Sequence, residues 1–276
     1  MKPGSRSATA RLGAPIAFAV FVLVIWQVLA TVTSIPASSL PSPVEVAQAG
    51  WDHRQLLFDN SWVTVVEILV GLLVAIVLGI SLAVLIHSSK LVERALYPWM
   101  VVSQMIPIVA IAPIILIWTG FDLRPKVIVI ALVSFFPIAV NMIDGLRAAD
   151  PQLLRLIKTM RASSWQAFRL VQLPAALPHL FSGLKVAAAF SVVGAVFAEW
   201  VGSSEGLGHL ILVFNNGAET AAMFATVFVL SLVGVALFGF VLLLERLLMP
   251  WYFALRDGSD SDGEGAEPPE ASLRLR

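Results

Sequence analysis

The chain is 276 residues long, 58% hydrophobic and 13% charged, with a mean hydropathy of +0.88. A soluble core of this length needs far less apolar sequence, so composition indicates an all-α integral membrane protein with one membrane domain. The formal net charge of +0 gives no reason to expect nucleic acid, and the absence of cysteine excludes a disulfide framework, thiol chemistry and a cysteine metal site.

Residues 1–13 form a cytoplasmic tail carrying Lys2, Arg6 and Arg11, and an apolar run follows near 14–33. That run is too long for a signal-peptide core and no small-residue cleavage site follows it, so it reads as the first span. Further runs able to cross about 30 Å of hydrocarbon lie near 62–86, 99–119, 126–144, 183–201 and 222–249. The fold expected is a polytopic bundle of six transmembrane helices over 14–252, the third and fourth broken by Pro107, Pro113 and Pro137. The tail 253–276 is acidic and rich in Gly, Ser and Pro, the composition of a disordered cytoplasmic segment. With the N-terminus inside, only Arg54, Arg124 and Lys126 fall in outer segments, Lys185 opens span five, and every other Lys and Arg lies inside. Both termini are therefore expected in the cytoplasm of a multi-pass inner (plasma) membrane protein.

Span two carries Glu67, Gly71, Ala75, Gly79 and Ala83 at four-residue spacing. Such a stripe drifts only about 40° per step and makes one slanting seam for close helix packing. Span five repeats it with Ala187, Ser191, Ala195 and Glu199, beside Phe190, Gly194, Ala198 and Gly202. Each seam ends in a carboxylate, which must face protein or a water-filled cavity.

The segment from Asp150 to Pro174 carries Arg155, Lys158, Arg161 and Arg169 just after Arg147, so it cannot lie in hydrocarbon. Asp150-Pro151 reads as the start of a helix running to about Met160. Ser163-x-x-Gln166 reads as a capping box opening a second helix, Trp165 to Val171, which Leu173-Pro174 stops. Two short helices would present Leu156, Ile157, Trp165, Ala167 and Phe168 among basic residues, a surface suited to docking a partner.

This segment resembles the cytoplasmic loop of permease subunits of binding-protein-dependent ABC importers. The family pattern is Glu-Ala-Ala, three residues, Gly, nine residues, Ile, one residue, Leu-Pro. Val171, Leu173 and Pro174 match its end; Arg155, Leu156 and Ile157 stand at the Glu-Ala-Ala positions and Arg161 at the Gly, so the beginning departs. Leu40-Pro41-Ser42-Pro43 with Glu45-Val46 is similar to an entry segment of the sulfonate, nitrate and taurine branch, and Gly206-Leu207-Gly208 to an outer-loop motif of the family. Within that branch, 161–166 and 198–202 resemble permeases for riboflavin or the hydroxymethylpyrimidine precursor of thiamine. The resemblance implies a dimeric permease, most simply a homodimer, whose coupling helices at about 150–174 contact ATP-binding cassette ATPase subunits. Arg155, Leu156, Ile157, Arg161, Trp165, Phe168, Val171, Leu173 and Pro174 would then be the coupling residues. Gly206, Leu207 and Gly208 would face an extracytoplasmic substrate-binding protein, and ATP and Mg would belong to the ATPase, leaving this chain without a cofactor.

The residues themselves suggest no enzyme. The glycine-dense stretch 202–209 lacks a GK[ST] end and follows a helix, so it is no phosphate loop. His53, His87, His179 and His209 have no metal spacing. Gln104, Asn141 and Glu199, polar at membrane depth, and the aromatic Phe135 and Phe190 are the substrate-pathway candidates. A heteroaromatic vitamin or precursor is the expected substrate, with sulfonate, taurine or nitrate as the alternative. A free-standing secondary transporter is the competing class; it would call for paired repeats of broken helices, and no repeat is present.

Overall fold

The computed structural model describes residues 8–32, 36 and 38–252, with the backbone alone for 8–12. The tail expected at 253–276 and residues 1–7 of the N-terminal tail lie outside the described residues.

The described regular elements are helices, as a backbone in hydrocarbon requires when it must satisfy its own hydrogen bonds. They are α1 (Ala8–Val32), α2 (Pro43–Asp52), α3 (Arg54–Ser88), α4 (Lys90–Ser103), α5 (Ile108–Thr119) and α6 (Leu123–Arg147). Then come α7 (Pro151–Thr159), α8 (Ser164–Ala167), a π-turn (Phe168–Gln172), α9 (Leu173–Gly202), α10 (Leu207–Asn216) and α11 (Thr220–Leu248). Five helical segments are long and apolar enough to cross a membrane, or six if α4 and α5 together make one span.

The third span is broken at Pro107, as expected. The run near 99–119 is not one rod: helix stops at Ser103 and resumes at Ile108. Pro107 bars Ile106 from helical backbone and lacks the N–H that would continue the ladder. Pro113 and Pro137, by contrast, lie inside α5 and α6 without ending them. The fourth span is therefore continuous, because a proline within a packed membrane helix bends it more readily than it breaks it.

The entry segment Leu40 to Val46 is a helix start. Ser42 caps α2, with its Oγ accepting from Glu45 N at 3.3 Å and its own N–H donating to Glu45 Oε2 at 2.7 Å, while Pro43 takes the first helical position.

Two compact units divide the chain. One comprises Met1–Val70, Ile108–Val129 and Val192–Val233; the other Gly71–Pro107, Ile130–Ser191 and Gly234–Arg276. In the first, Leu57, Leu207, Leu210, Phe214, Ala222 and Leu230 form one buried cluster, and Ala112, Ile115, Val129 and Ala198 another. Trp26 of α1 donates its indole N–H to Pro41 O at 3.1 Å, yet no residue of Gly13–Val32 is buried.

The second unit is packed through small residues. Gly71, Ala75, Gly79 and Ala83 are all buried, as is Glu67 of the first unit, so the α3 seam faces protein in each unit. A Cβ at Gly79 would stand 2.9 Å from Ile138 Cβ, and one at Gly145 would stand 2.8 Å from Ala176 Cα. Backbones touch at these points, and no larger residue fits. On α9 the seam holds for Ala187, Ser191, Gly194, Ala195, Ala198 and Glu199 but not for Phe190, which is exposed. Phe190 sits about 60° from Ala187 on the side away from Ser191, Ala195 and Glu199, and so falls on the neighbouring face.

Candidate functional site

The corner between α6 and α9 is built almost wholly from local signals. Asp150 caps α7 by accepting from Gln152 N at 2.7 Å, with Pro151 in the first turn. At the other end Arg161 N donates to Lys158 O at 3.0 Å and Ala162 N to Ile157 O at 3.1 Å. This is the Schellman closure, which puts its C′ residue in left-handed backbone. Arg161 occupies that place with φ 58°. The position where the importer pattern carries glycine is thus one whose backbone favours glycine, and this chain holds it with an arginine instead.

Ser163 opens α8 with the reciprocal cap anticipated from sequence: Gln166 N donates to Ser163 Oγ at 3.3 Å, and Ser163 N to Gln166 Oε1 at 2.8 Å. Trp165 stacks on Phe168 with ring centroids 5.6 Å apart. Arg155, Leu156, Arg161 and Trp165 are exposed, with Trp165 at 67%; Ile157 and Phe168 are half-buried and Val171 is buried. The second helix differs from expectation. Its α-helical part is only Ser164–Ala167, and Leu173-Pro174 does not stop it. The chain widens into the π-turn and runs on into α9, where Pro174 sits in the first turn and its missing N–H costs little.

A second arrangement surrounds the start of α10. The first N–H groups of any helix lack partners within it. Here side chains of two other helices take all four. Gly206 N donates to Asn60 Oδ1 at 2.7 Å and Leu207 N to Thr64 Oγ1 at 2.8 Å, both on α3. Gly208 N and His209 N donate to Glu199 Oε2 on α9, the latter at 3.3 Å. Thr64 completes the set by donating to Glu199 Oε1 at 2.7 Å. A carboxylate at a helix N-terminus also meets the positive end of the macrodipole.

Gly206 has φ +107°, and a Cβ there would collide with the Glu199 carboxyl group; a Cβ at Gly208 would stand 2.8 Å from Glu199 Oε2. The glycine spacing is thus explained by the carboxylate it surrounds. Gly206, Leu207 and Gly208, expected to face a binding protein, are buried, with Leu207 0% exposed. Glu199, expected on the substrate pathway, is 1% exposed and is spent holding α10.

Beside it Lys126 Nζ contacts Glu67 Oε1 and donates to Ser203 Oγ at 2.7 Å. The Lys126 and Glu67 side chains are 13% and 2% exposed. In the other unit Lys185 Nζ donates to both Glu245 oxygens, at 3.0 and 3.1 Å. The pair borders a cavity of about 350 Å³, along with His179, Ser182, Arg246 and Tyr252. Lys185 lies well inside α9, which begins at Leu173 and not, as expected, near residue 183.

The remaining pathway candidates are not brought together. Gln104 is exposed, just past the end of α4. Asn141 is half-buried, donates to Pro137 O at 2.8 Å and packs where a Cβ on Gly183 would meet its own Cβ at 2.9 Å. Phe135 is half-buried and Phe190 exposed. Sequence reasoning missed Asn60, Thr64, Lys126, Ser203 and Glu245. The one available signal was charge set in apolar sequence, since Lys126, Lys185 and Glu245 could not have stayed there unpaired.

Residues 75–250 match the model of the family described as binding-protein-dependent transport system inner membrane component. The chain is 38% identical over 238 residues to the formylaminopyrimidine transport permease protein of Halalkalibacterium halodurans, covering 86% of this chain and 95% of that one. It is 36% identical over 242 residues to the riboflavin transport system permease protein of Chloroflexus aurantiacus, covering 87% and 90%. Among solved structures, the MetNI methionine ABC transporter in inward-facing conformations aligns with TM-score 0.58 at 20% identity, over 69% of this chain and 96% of that chain, a likeness of fold.

Proposed function

The chain belongs to the binding-protein-dependent transport system inner membrane components and is a permease subunit of an ABC importer, and from that premise we propose that its substrate is a flat heteroaromatic vitamin or vitamin precursor. The observation that carries this reading is the near full-length likeness to relatives named for formylaminopyrimidine and riboflavin. Aromatic side chains such as Phe190, exposed on α9, suit a planar ligand by stacking. Sulfonate, taurine or nitrate import is the second reading. Against it, Lys126 and Lys185 are each engaged by a carboxylate and offer no uncompensated charge to a dehydrated anion.

In this reading two permease copies, with both termini of each in the cytoplasm, form the pathway. ATPase subunits dock on the exposed faces of α7 and α8, through Leu156, Arg161 and Trp165, and an extracytoplasmic binding protein delivers substrate. ATP binding closes the ATPases, and the corner passes that movement to the spans. The chain contributes a two-state pathway and a lever; ATP and its Mg belong to the partner.

Calorimetric binding to the partner binding protein tests the substrate. The screen is riboflavin, hydroxymethylpyrimidine, thiamine, taurine, alkanesulfonates and nitrate. Heat of binding from a heteroaromatic compound is the expected result. Binding of a sulfonate or nitrate alone would overturn the substrate while leaving the importer intact.

A further inference from the structure

The backbone between the corner and α9 is not uniform. From Ala176 onward α9 is clamped against α6. A Cβ on Gly145 would meet Ala176 Cα and His179 Cβ at 2.8 Å, and one on Gly183 would meet Pro137 O and Asn141 Cβ. Ala176 itself is fully buried. On the far side, α7 and α8 form a corner closed by their own caps and by the Trp165–Phe168 stack. Between the clamp and the corner lie the first residues of α9, 173–175, and the π-turn Phe168–Gln172, whose wider turn makes it the irregular piece of an otherwise continuous helix.

Among the described residues, one side-chain hydrogen bond ties this turn to α3. Gln172 Nε2 donates to Nε2 of His87, in the last turn of α3, at 3.0 Å. Val171, beside it, is buried at 8% exposure, whereas Leu170 on the other face is exposed. A push on the corner therefore meets a closely packed clamp and a turn held by buried Val171 and the Gln172–His87 bond.

We propose that the π-turn Phe168–Gln172 is the pivot between the ATPase-docking corner and α9, with Gln172 and His87 the positioning pair that makes corner movement turn α9 instead of being absorbed in the turn. The proposal rests on the docking reading above. Both act through the direction in which α9 leaves the corner.

The chain has no cysteine, so single labelling sites can be added without background. Thr159→Cys reports the corner and Ala189→Cys reports α9; both positions are exposed. Each variant is labelled with an environment-sensitive fluorophore and reconstituted with its ATPase, and ATP with vanadate is the probe. Both labels should respond in the parent complex. In His87→Leu and Gln172→Leu the Thr159 response should persist while the Ala189 response falls by about threefold or more. His87→Gln, which keeps a hydrogen-bonding partner, should restore the Ala189 response. Equal loss, or no loss, at both labels in the leucine variants overturns the pivot. So does failure of all three variants to assemble, which would make the contact structural alone. A parent complex whose Thr159 label stays silent would instead overturn the docking reading, and the pivot with it.

Discussion

The amide donors that open α8 and those that open α10 are satisfied by opposite means. At α8 a single residue, Ser163, and its neighbour Gln166 exchange hydrogen bonds across three positions, in an exposed place. At α10 the cap residue is a glycine without a side chain, and Asn60, Thr64 and Glu199 supply the acceptors from α3 and α9. The first device holds one helix end. The second ties three helices together, so its loss is felt by all of them. A corner proposed to meet a partner is held by its own residues, and a helix seated among others is held from elsewhere.

The sharpest way to break the contrast is to remove a buried charge beside α10. Lys126→Met leaves Glu67 uncompensated at 2% side-chain exposure, and should cost about 3–5 kcal/mol, read as a large fall in thermal unfolding temperature in detergent. Glu199→Ala strands the Gly208 and His209 donors and Thr64, and should cost about 2–4 kcal/mol; Glu199→Gln, retaining an acceptor oxygen, should cost visibly less.

At the corner the effects should be smaller. Ser163→Ala should lose about 1 kcal/mol, with the unfolding of the spans little changed. Arg161→Gly relieves a left-handed arginine and should stabilise by up to about 1 kcal/mol. It also separates backbone from charge: if ATPase coupling survives in Arg161→Gly, the arginine makes no essential contact with the ATPase. The smallest effect belongs to Glu93→Gln. Its partner Arg147 lies at 2.7 Å, but both side chains are more than 40% exposed, and the change should fall within about 0–1 kcal/mol.

Much of this protein was legible in its residues. Apolar run length marked the membrane spans, small residues four apart marked the α3 seam, and Asp150-Pro151 and Ser163-x-x-Gln166 marked the corner helices. The family resemblance, carried by the Leu-Pro end of the loop, led to the family that the chain belongs to. All of these signals are local: a cap reaches three residues, and a helical stripe repeats every turn. The same locality misled where a proline had two outcomes. Pro107 broke its span while Pro137 did not, and Pro174 opened a helix that it was expected to close.

Tertiary structure alone decided where the buried polar atoms go. Glu199 meets Thr64 across 135 positions of sequence, Lys126 meets Glu67 across 59 and Lys185 meets Glu245 across 60. In each case the sequence required only that a charge in apolar surroundings find a partner. Which partner it found depended on how the helices cross within each unit, and that is set by packing contacts such as Gly202 on Leu116 in the first and Gly183 on Asn141 in the second. So Glu199, which composition could place only as a polar group at depth, became the acceptor that seats α10. The Gly-Leu-Gly motif, which resemblance placed at a partner surface, became the backbone closed around that carboxylate.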